Sequence, residues 1–182
     1  LNINSNDLDG DSITLSLSTK PSFATIQDNN DGTGSVTFAP DYTQSGTYSV
    51  TVAASDVQTS DSESFSVVVY DVNRTPVLED LANTNLSVDA GASTQIEIVA
   101  ADPDSDGLSF EITQQNNPSS FVILQDNSDG TAQLSIAPPS DEITRTHFVT
   151  IRVTDDGTPS LYDEVTFTVI VSANITCGME IT

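Results

Sequence analysis

Val149-Thr150-Ile151-Arg152-Val153-Thr154-Asp155 carries an apolar side chain at every second position and ends on a carboxylate. Successive side chains of a strand point to opposite faces, so Val149, Ile151 and Val153 line a buried face while Thr150, Arg152 and Thr154 face water. The pattern recurs in Val50-Thr51-Val52-Ala53-Ala54-Ser55-Asp56, in Phe65-Ser66-Val67-Val68-Val69 and in Phe167-Thr168-Val169-Ile170-Val171. Ser, Asn, Asp, Gly and Pro punctuate these runs at intervals of roughly ten residues, and no window sustains a 3.6-residue apolar period. The fold expected is all-β, built of short antiparallel strands in packed sheets.

The chain also repeats itself. Leu1, Ile3, Asp7, Asp9, Asp11, Ile13 and Leu15 fall on Ile96, Ile98, Asp102, Asp104, Asp106, Leu108 and Phe110. Pro21-Ser22-Phe23 falls on Pro118-Ser119-Ser120-Phe121, and Gln27-Asp28-Asn29-Asn30-Asp31-Gly32-Thr33 on Gln125-Asp126-Asn127-Ser128-Asp129-Gly130-Thr131. The alternating runs quoted above complete the match. A period of roughly 100 residues is a whole domain, not a solenoid unit, so the 182 residues divide into tandem domains at 1–73 and 74–173. Residues 174–182 are a tail or the start of a following segment. Proline in the joint Tyr70-Asp71-Val72-Asn73-Arg74-Thr75-Pro76 stops the preceding strand and stiffens the boundary.

In the second copy strands are expected near 85–88, 94–101, 108–113, 120–125, 131–137, 146–154 and 163–172. The Asp28–Gly32 and Asp126–Gly130 stretches form hairpin connections, since Asp-Gly supplies the positive φ that tight turns need. The first copy has no counterpart of residues 77–93, which hold the opening strand of the second. Its sandwich is therefore expected to have an open edge, prone to strand exchange.

Lys plus Arg number 4 against 27 Asp plus Glu, a net charge of −23. Such a surface repels nucleic acid and anionic membranes, and its self-repulsion is eased by divalent ions placed among clustered carboxylates. An acidic surface serving solubility alone would not produce matched ladders of Asp. Cys177 is the single cysteine, so no intrachain disulfide forms. No apolar run of about 18 residues spans a membrane, and the first residues are no signal peptide, so the chain reads as a fragment of a longer protein.

Asp102-Pro103-Asp104-Ser105-Asp106-Gly107, and Asp7-Leu8-Asp9-Gly10-Asp11 in the first copy, are the chemistry-bearing stretches. Calcium takes six to eight oxygens at about 2.3–2.6 Å, so oxygens on one ion lie within about 5 Å of each other. Alternate positions of an extended strand are about 7 Å apart, so the ladder must curl to converge, which Pro103, Ser105 and Gly107 permit. Asp155, ending its strand, is a second source of oxygens, and the joint pair Asp71 and Asn73 is a third. The ladder matches half of an EF-hand loop, but Thr113 stands where a bidentate Glu is needed and a strand follows. Asp-rich loops that only cap their own turns are the plainer alternative.

Taken together, the Asp-x-Asp ladder, the late-strand motifs Ala54-Ser55-Asp56 and Val153-Thr154-Asp155, and the joint Asp71-Val72-Asn73 ending in Pro76 resemble cadherin repeats. The likeness is closest to bacterial cadherin-like, or dystroglycan-type cadherin-like, modules strung along large surface proteins. It implies two tandem Ig-like/cadherin-like Greek-key β-sandwiches, the first lacking its opening strand, with calcium rigidifying the inter-domain junction. The implied ligands are Asp71, Asn73, Asp102, Asp104 and Asp155, with Asp106 completing the ladder. Asp7, Asp9, Asp11 and Asp56 would form the lower half of an equivalent site, more weakly occupied because its upper domain is absent. Arg74 stands where cadherins usually carry another Asp, so fewer or weaker ions are expected.

The function expected is an extracellular or cell-surface, calcium-binding spacer or adhesion module. Its candidate partners are other adhesin domains or cell-surface polysaccharide, and it is a monomer or associates weakly with itself through calcium. The alternative is a carbohydrate-binding module, for which only Tyr42, Tyr70 and Tyr162 offer exposed rings. Catalysis is not expected, since His147 aligns with Tyr48 in a strand, Cys177 has no neighbouring histidine, and no phosphate loop or serine elbow is present. The sequons Asn85-Leu86-Ser87 and Asn174-Ile175-Thr176 arise by chance at this frequency.

Overall fold

The computed structural model describes residues 1–79, 81, 83–116 and 120–173. Pro118, Cys177, the second sequon and the segment 174–182 lie outside the described residues. The chain separates into two units, Leu1–Val72 and Asn73–Thr182, so Asn73 belongs to the second unit and not the first. Among the described residues every regular element is a strand.

The first unit has β1 (Asn2–Asn4), β2 (Thr14–Thr19), β3 (Ala24–Asp28), β4 (Thr33–Phe38), β5 (Gly46–Ser55) and β6 (Ser60–Val69). They form two sheets, ordered β1-β4-β3 and β2-β5-β6. The second unit has β7 (Val77–Leu78), β8 (Asn85–Asp89), β9 (Thr94–Ala101), β10 (Leu108–Gln115), β11 (Val122–Asp126), β12 (Thr131–Ile136), β13 (Arg145–Asp155) and β14 (Tyr162–Ser172). Its sheets are β11-β12-β9-β7 and β10-β13-β14-β8, antiparallel except for the β14–β8 pair. The second unit thus repeats the first and adds β7 and β8.

The alternation that predicted the strands also builds the core. Val149, Ile151 and Val153 of β13 and Phe167, Val169 and Val171 of β14 are fully buried, facing Ile98, Leu134 and Ile136 from the other sheet. Thr150, expected on the wet face, is instead buried, its Oγ1 lying 2.9 Å from Thr166 Oγ1 across the sheet. A bulge between Ile112 and Gln114 carries β10 two residues further than its alternation indicated. His147 is 2% exposed and meets Phe121 edge-on at 5.1 Å, a core side chain of β13.

The Asp-Gly stretches are hairpin turns, with positive φ at Asn30 and Gly32 and at Ser128 and Gly130. Their first aspartates also tie one sheet to the other. Asp28 Oδ2 accepts the Leu15 N–H at 2.9 Å, and Asp126 Oδ2 accepts the Phe110 N–H at 3.0 Å, while each Oδ1 caps its own turn. Asp126→Ala is expected to cost the second unit about 1–3 kcal/mol, because it strands a donor at the rim of the core. Urea unfolding of the chain measures this.

Candidate metal centre

The acidic ladder of the second unit follows β9, and the backbone wraps around its first carboxylate. Asp102 Oδ1 accepts the N–H of Asp104 at 2.7 Å and that of Asp106 at 3.2 Å. The Asp102 carbonyl accepts the Ser105 N–H at 3.2 Å, with Ser105 at φ 66. This is the curl that an extended ladder lacks. Side chains of aspartate bond readily to backbone two residues on, which is why this sequence folds into a loop here.

Asp155 closes β13 at 4% exposure. Its Oδ1 accepts the N–H groups of Gly157 at 3.1 Å and Leu161 at 2.9 Å, and its Oδ2 accepts Asn73 Nδ2 at 3.1 Å. Asn73 Nδ2 also donates to the Pro159 carbonyl at 2.8 Å. A Cβ on Gly157 would collide with the Asn73 amide, so glycine is what admits Asn73. Asp156, which sequence reasoning passed over, accepts the Gly107 N–H at 2.7 Å and so ties the late-strand loop to the ladder.

Two oxygens here are buried with no hydrogen-bond partner among the described residues: Asn73 Oδ1 and Asp102 Oδ2. Buried polar atoms are almost always satisfied, and an ion is one of the few explanations for an exception. Asp106 supplies the electrostatic counterpart. Burial, and then the charges of Asp102, Asp156, Asp155 and Asp104, push its carboxyl above the usual carboxylate range. Carboxylate and amide oxygens are the donor types that a hard cation takes. Among the described residues, however, no three His, Cys, Asp or Glu side chains converge in ligating geometry on one point.

Asp104 is engaged elsewhere. Arg74 gives it a backbone N–H at 2.7 Å, Nε at 2.9 Å and Nη2 at 2.6 Å. The guanidinium holds the Asp104 carboxyl below its ordinary range. Arg74 therefore does more than stand in place of a carboxylate: it occupies one carboxylate of the ladder. A fork of this kind is among the stronger charge-assisted contacts.

The first unit repeats the curl but not the burial. Asp7 Oδ1 accepts the N–H groups of Asp9 at 2.8 Å and Asp11 at 3.0 Å, with Asp9 and Asp11 exposed. Asp56 caps its own turn through Thr59 and Gln58, whose N–H groups hold its carboxyl below the usual range. Asp71 follows β6 on an exposed stretch. Of the three rings proposed for sugar contact, Tyr42, Tyr70 and Tyr162 are exposed, but the Arg152 guanidinium lies 4.1 Å above the Tyr162 ring.

No family model matches the chain, and no curated protein does. Solved structures do. Protocadherin Gamma B2 extracellular cadherin domains 3–6 match with a TM-score of 0.56 at 20% identity, over 92% of this chain and 42% of that one. The protocadherin gammaB7 EC3-6 cis-dimer matches at 0.54 and 24% identity, over 88% of this chain and 41% of that one. Human protocadherin-24 EC1-2, form II, matches at 0.53 and 15% identity, over 91% and 84%. The chain spans less than half of the first two. These likenesses define the fold: cadherin-like β-sandwiches.

Proposed function

We propose that this chain is a calcium-binding spacer or adhesion module of an extracellular or cell-surface protein, of the kind that bacterial dystroglycan-type cadherin-like repeats provide. The ion is held by Asn73, Asp102, Asp106 and Asp155, with Asp156 beside them. The observation that carries this reading is the pair of unpartnered buried oxygens, Asn73 Oδ1 and Asp102 Oδ2, beside a carboxyl that its neighbours push up. When bound, calcium supplies positive charge that offsets the mutual repulsion of these carboxylates. The protein's own part is positional: the curl around Asp102 aims the ladder, Gly157 admits Asn73, and Arg74 withholds Asp104. Because Asn73 is the first residue of the second unit, an ion on its amide oxygen fixes where that unit's chain begins.

Calorimetric titration of the chelator-treated chain with calcium is the test. Binding with a dissociation constant of about 10⁻⁴ M is expected, as in extracellular modules, with magnesium weaker. Asp102→Ala should abolish this binding. Absence of a calcium signal at millimolar concentration, or an Asp102→Ala titration equal to the parent's, rules the proposal out.

A further inference from the structure

The second unit carries a cation of its own beside the ladder. Arg74 follows Asn73 on the segment that opens this unit. Its Nε at 2.9 Å and Nη2 at 2.6 Å both donate to Asp104 Oδ1, and its backbone N–H reaches Oδ2 at 2.7 Å. Nη2 also donates to the Pro103 carbonyl at 2.5 Å. A carboxylate and a main-chain carbonyl are oxygens of the kind that a hard cation collects, so the guanidinium meets the ladder through the same types of atom. The Asp104 side chain is 14% exposed and that of Arg74 29%, which leaves the pair only partly open to screening by salt.

No other cation serves this end of the unit. Among the described residues Arg74 makes the one ion pair of a Lys or Arg with any of Asp102, Asp104, Asp106, Asp155 and Asp156. Arg152 is taken by Glu111 and Glu164, and Arg145 stands at the start of β13, whose far end is Asp155. Asp106 meanwhile lies in the field of the other four carboxylates. Asp104 is gripped from two sides: its N–H is held by Asp102 Oδ1 at 2.7 Å, and its carboxylate is held by Arg74. The middle of the ladder is thereby tied both to its own first residue and to the chain that enters the unit.

We propose, resting on the calcium reading above, that Arg74 is a resident cation with two effects: it keeps the ladder curled when no ion is bound, and by occupying Asp104 it holds the calcium affinity of the adjoining site down. With Arg74 in place, one carboxylate of the ladder is neutralised and a positive charge stands one residue from Asn73. Without it, Asp104 is a free carboxylate two positions from both Asp102 and Asp106, and it joins the residues available to the ion. Calcium affinity rises with the charge of the ligand set and with the rigidity of the site. The two terms act in opposite directions here. A contact that only braced the loop would weaken calcium binding when removed, whereas a resident cation, when removed, leaves the site tighter for calcium and the ion-free loop looser.

The test compares the 182-residue chain with Arg74→Met, which removes the charge and keeps much of the stem, and with Arg74→Gln as a second neutral variant should the first fail to fold in chelator. In calorimetric titration with calcium the neutral variants should bind about tenfold more tightly than the parent, while Arg74→Lys should stay near it. Asp104→Asn should leave the parent's affinity unchanged and erase the gain in the Arg74→Met background, and that non-additivity identifies Asp104 as the released carboxylate. In chelator, Arg74→Met should lower the melting temperature of the second unit and speed exchange of the Ser105 and Asp106 amides, which close the curl on Asp102; calcium should reverse both changes. Neutral variants that bind calcium no more tightly than the parent, or that leave exchange of these amides in chelator unchanged, overturn the proposal and leave the calcium site standing. A parent chain that binds no calcium removes the calcium reading instead, and the chelator measurements, which need no ion, still decide whether Arg74 holds the curl.

Discussion

Asp155→Ala is expected to remove about 2–4 kcal/mol from the stability of the second unit, the cost of leaving buried neutral donors without the carboxylate that accepts from them. Its two oxygens collect the Gly157 and Leu161 N–H groups and the Asn73 amide, and the side chain is 4% exposed. Alanine leaves two backbone donors without an acceptor in the loop after β13 and frees Asn73 to follow only the Pro159 carbonyl. Asp155→Asn keeps one acceptor oxygen, so its loss should be nearer about 1–2 kcal/mol. Urea unfolding of the chain, read on the second unit, separates the two. A loss under about 1 kcal/mol for the alanine variant would mean that the loop is held by other contacts. The matching change in the first unit, Asp56→Ala, should cost less, since Asp56 is less deeply buried and bonds only to its own turn.

That asymmetry between Asp155 and Asp56 was not legible in the sequence, where both end the same alternating run before the same kind of turn. What was legible follows from period two: β13 and β14, their buried valines, the hairpins at Gly32 and Gly130, and the division into repeats all come from alternation and turn chemistry, which are local. The misses are long-range. Asp28 and Asp126 looked like turn residues, yet each also reaches an N–H of the opposite sheet, a contact with no periodic trace. Strand β7 has two residues, too few to show a period. Thr150 sits on the polar side of its strand and is buried because Thr166 covers it and satisfies its hydroxyl. Within the site, the departure at Arg74 could be read from the joint, but its hold on Asp104 spans thirty positions and depends on how the ladder curls. Asp156 could have been flagged, since a second carboxylate directly after Asp155 is visible in the sequence.

Asp106→Asn should move stability in opposite directions with and without calcium. In the ion-free chain the Asp106 carboxyl is raised by burial and then by Asp102, Asp156, Asp155 and Asp104. A group whose folded carboxyl is raised contributes stability that is complete below its unfolded pKa and is lost as pH rises through the folded value. At neutral pH that contribution is gone, so a neutral amide at this position should raise the melting temperature of the second unit in chelator. Asp104 runs the other way: Arg74 depresses it, so its contribution is present above the unfolded pKa and lost as pH falls through the folded value. The chelated wild type should therefore gain from Asp106 on mild acidification before it loses from Asp104 on stronger acidification. Calcium at a hundred times its dissociation constant should stabilise the second unit by about 2.7 kcal/mol at neutral pH. Asp106→Asn should forfeit much of that gain, because a carboxylate ligand is replaced by an amide oxygen of no net charge. Melting curves of both proteins, in chelator and in calcium, at neutral and mildly acidic pH, give the four comparisons required. A variant less stable than the parent in chelator would show that its neighbours do not oppose the Asp106 charge. One that keeps the full calcium gain would place the ion away from Asp106. A crossing of the two effects would mark a carboxylate kept charged for an ion and not for the fold.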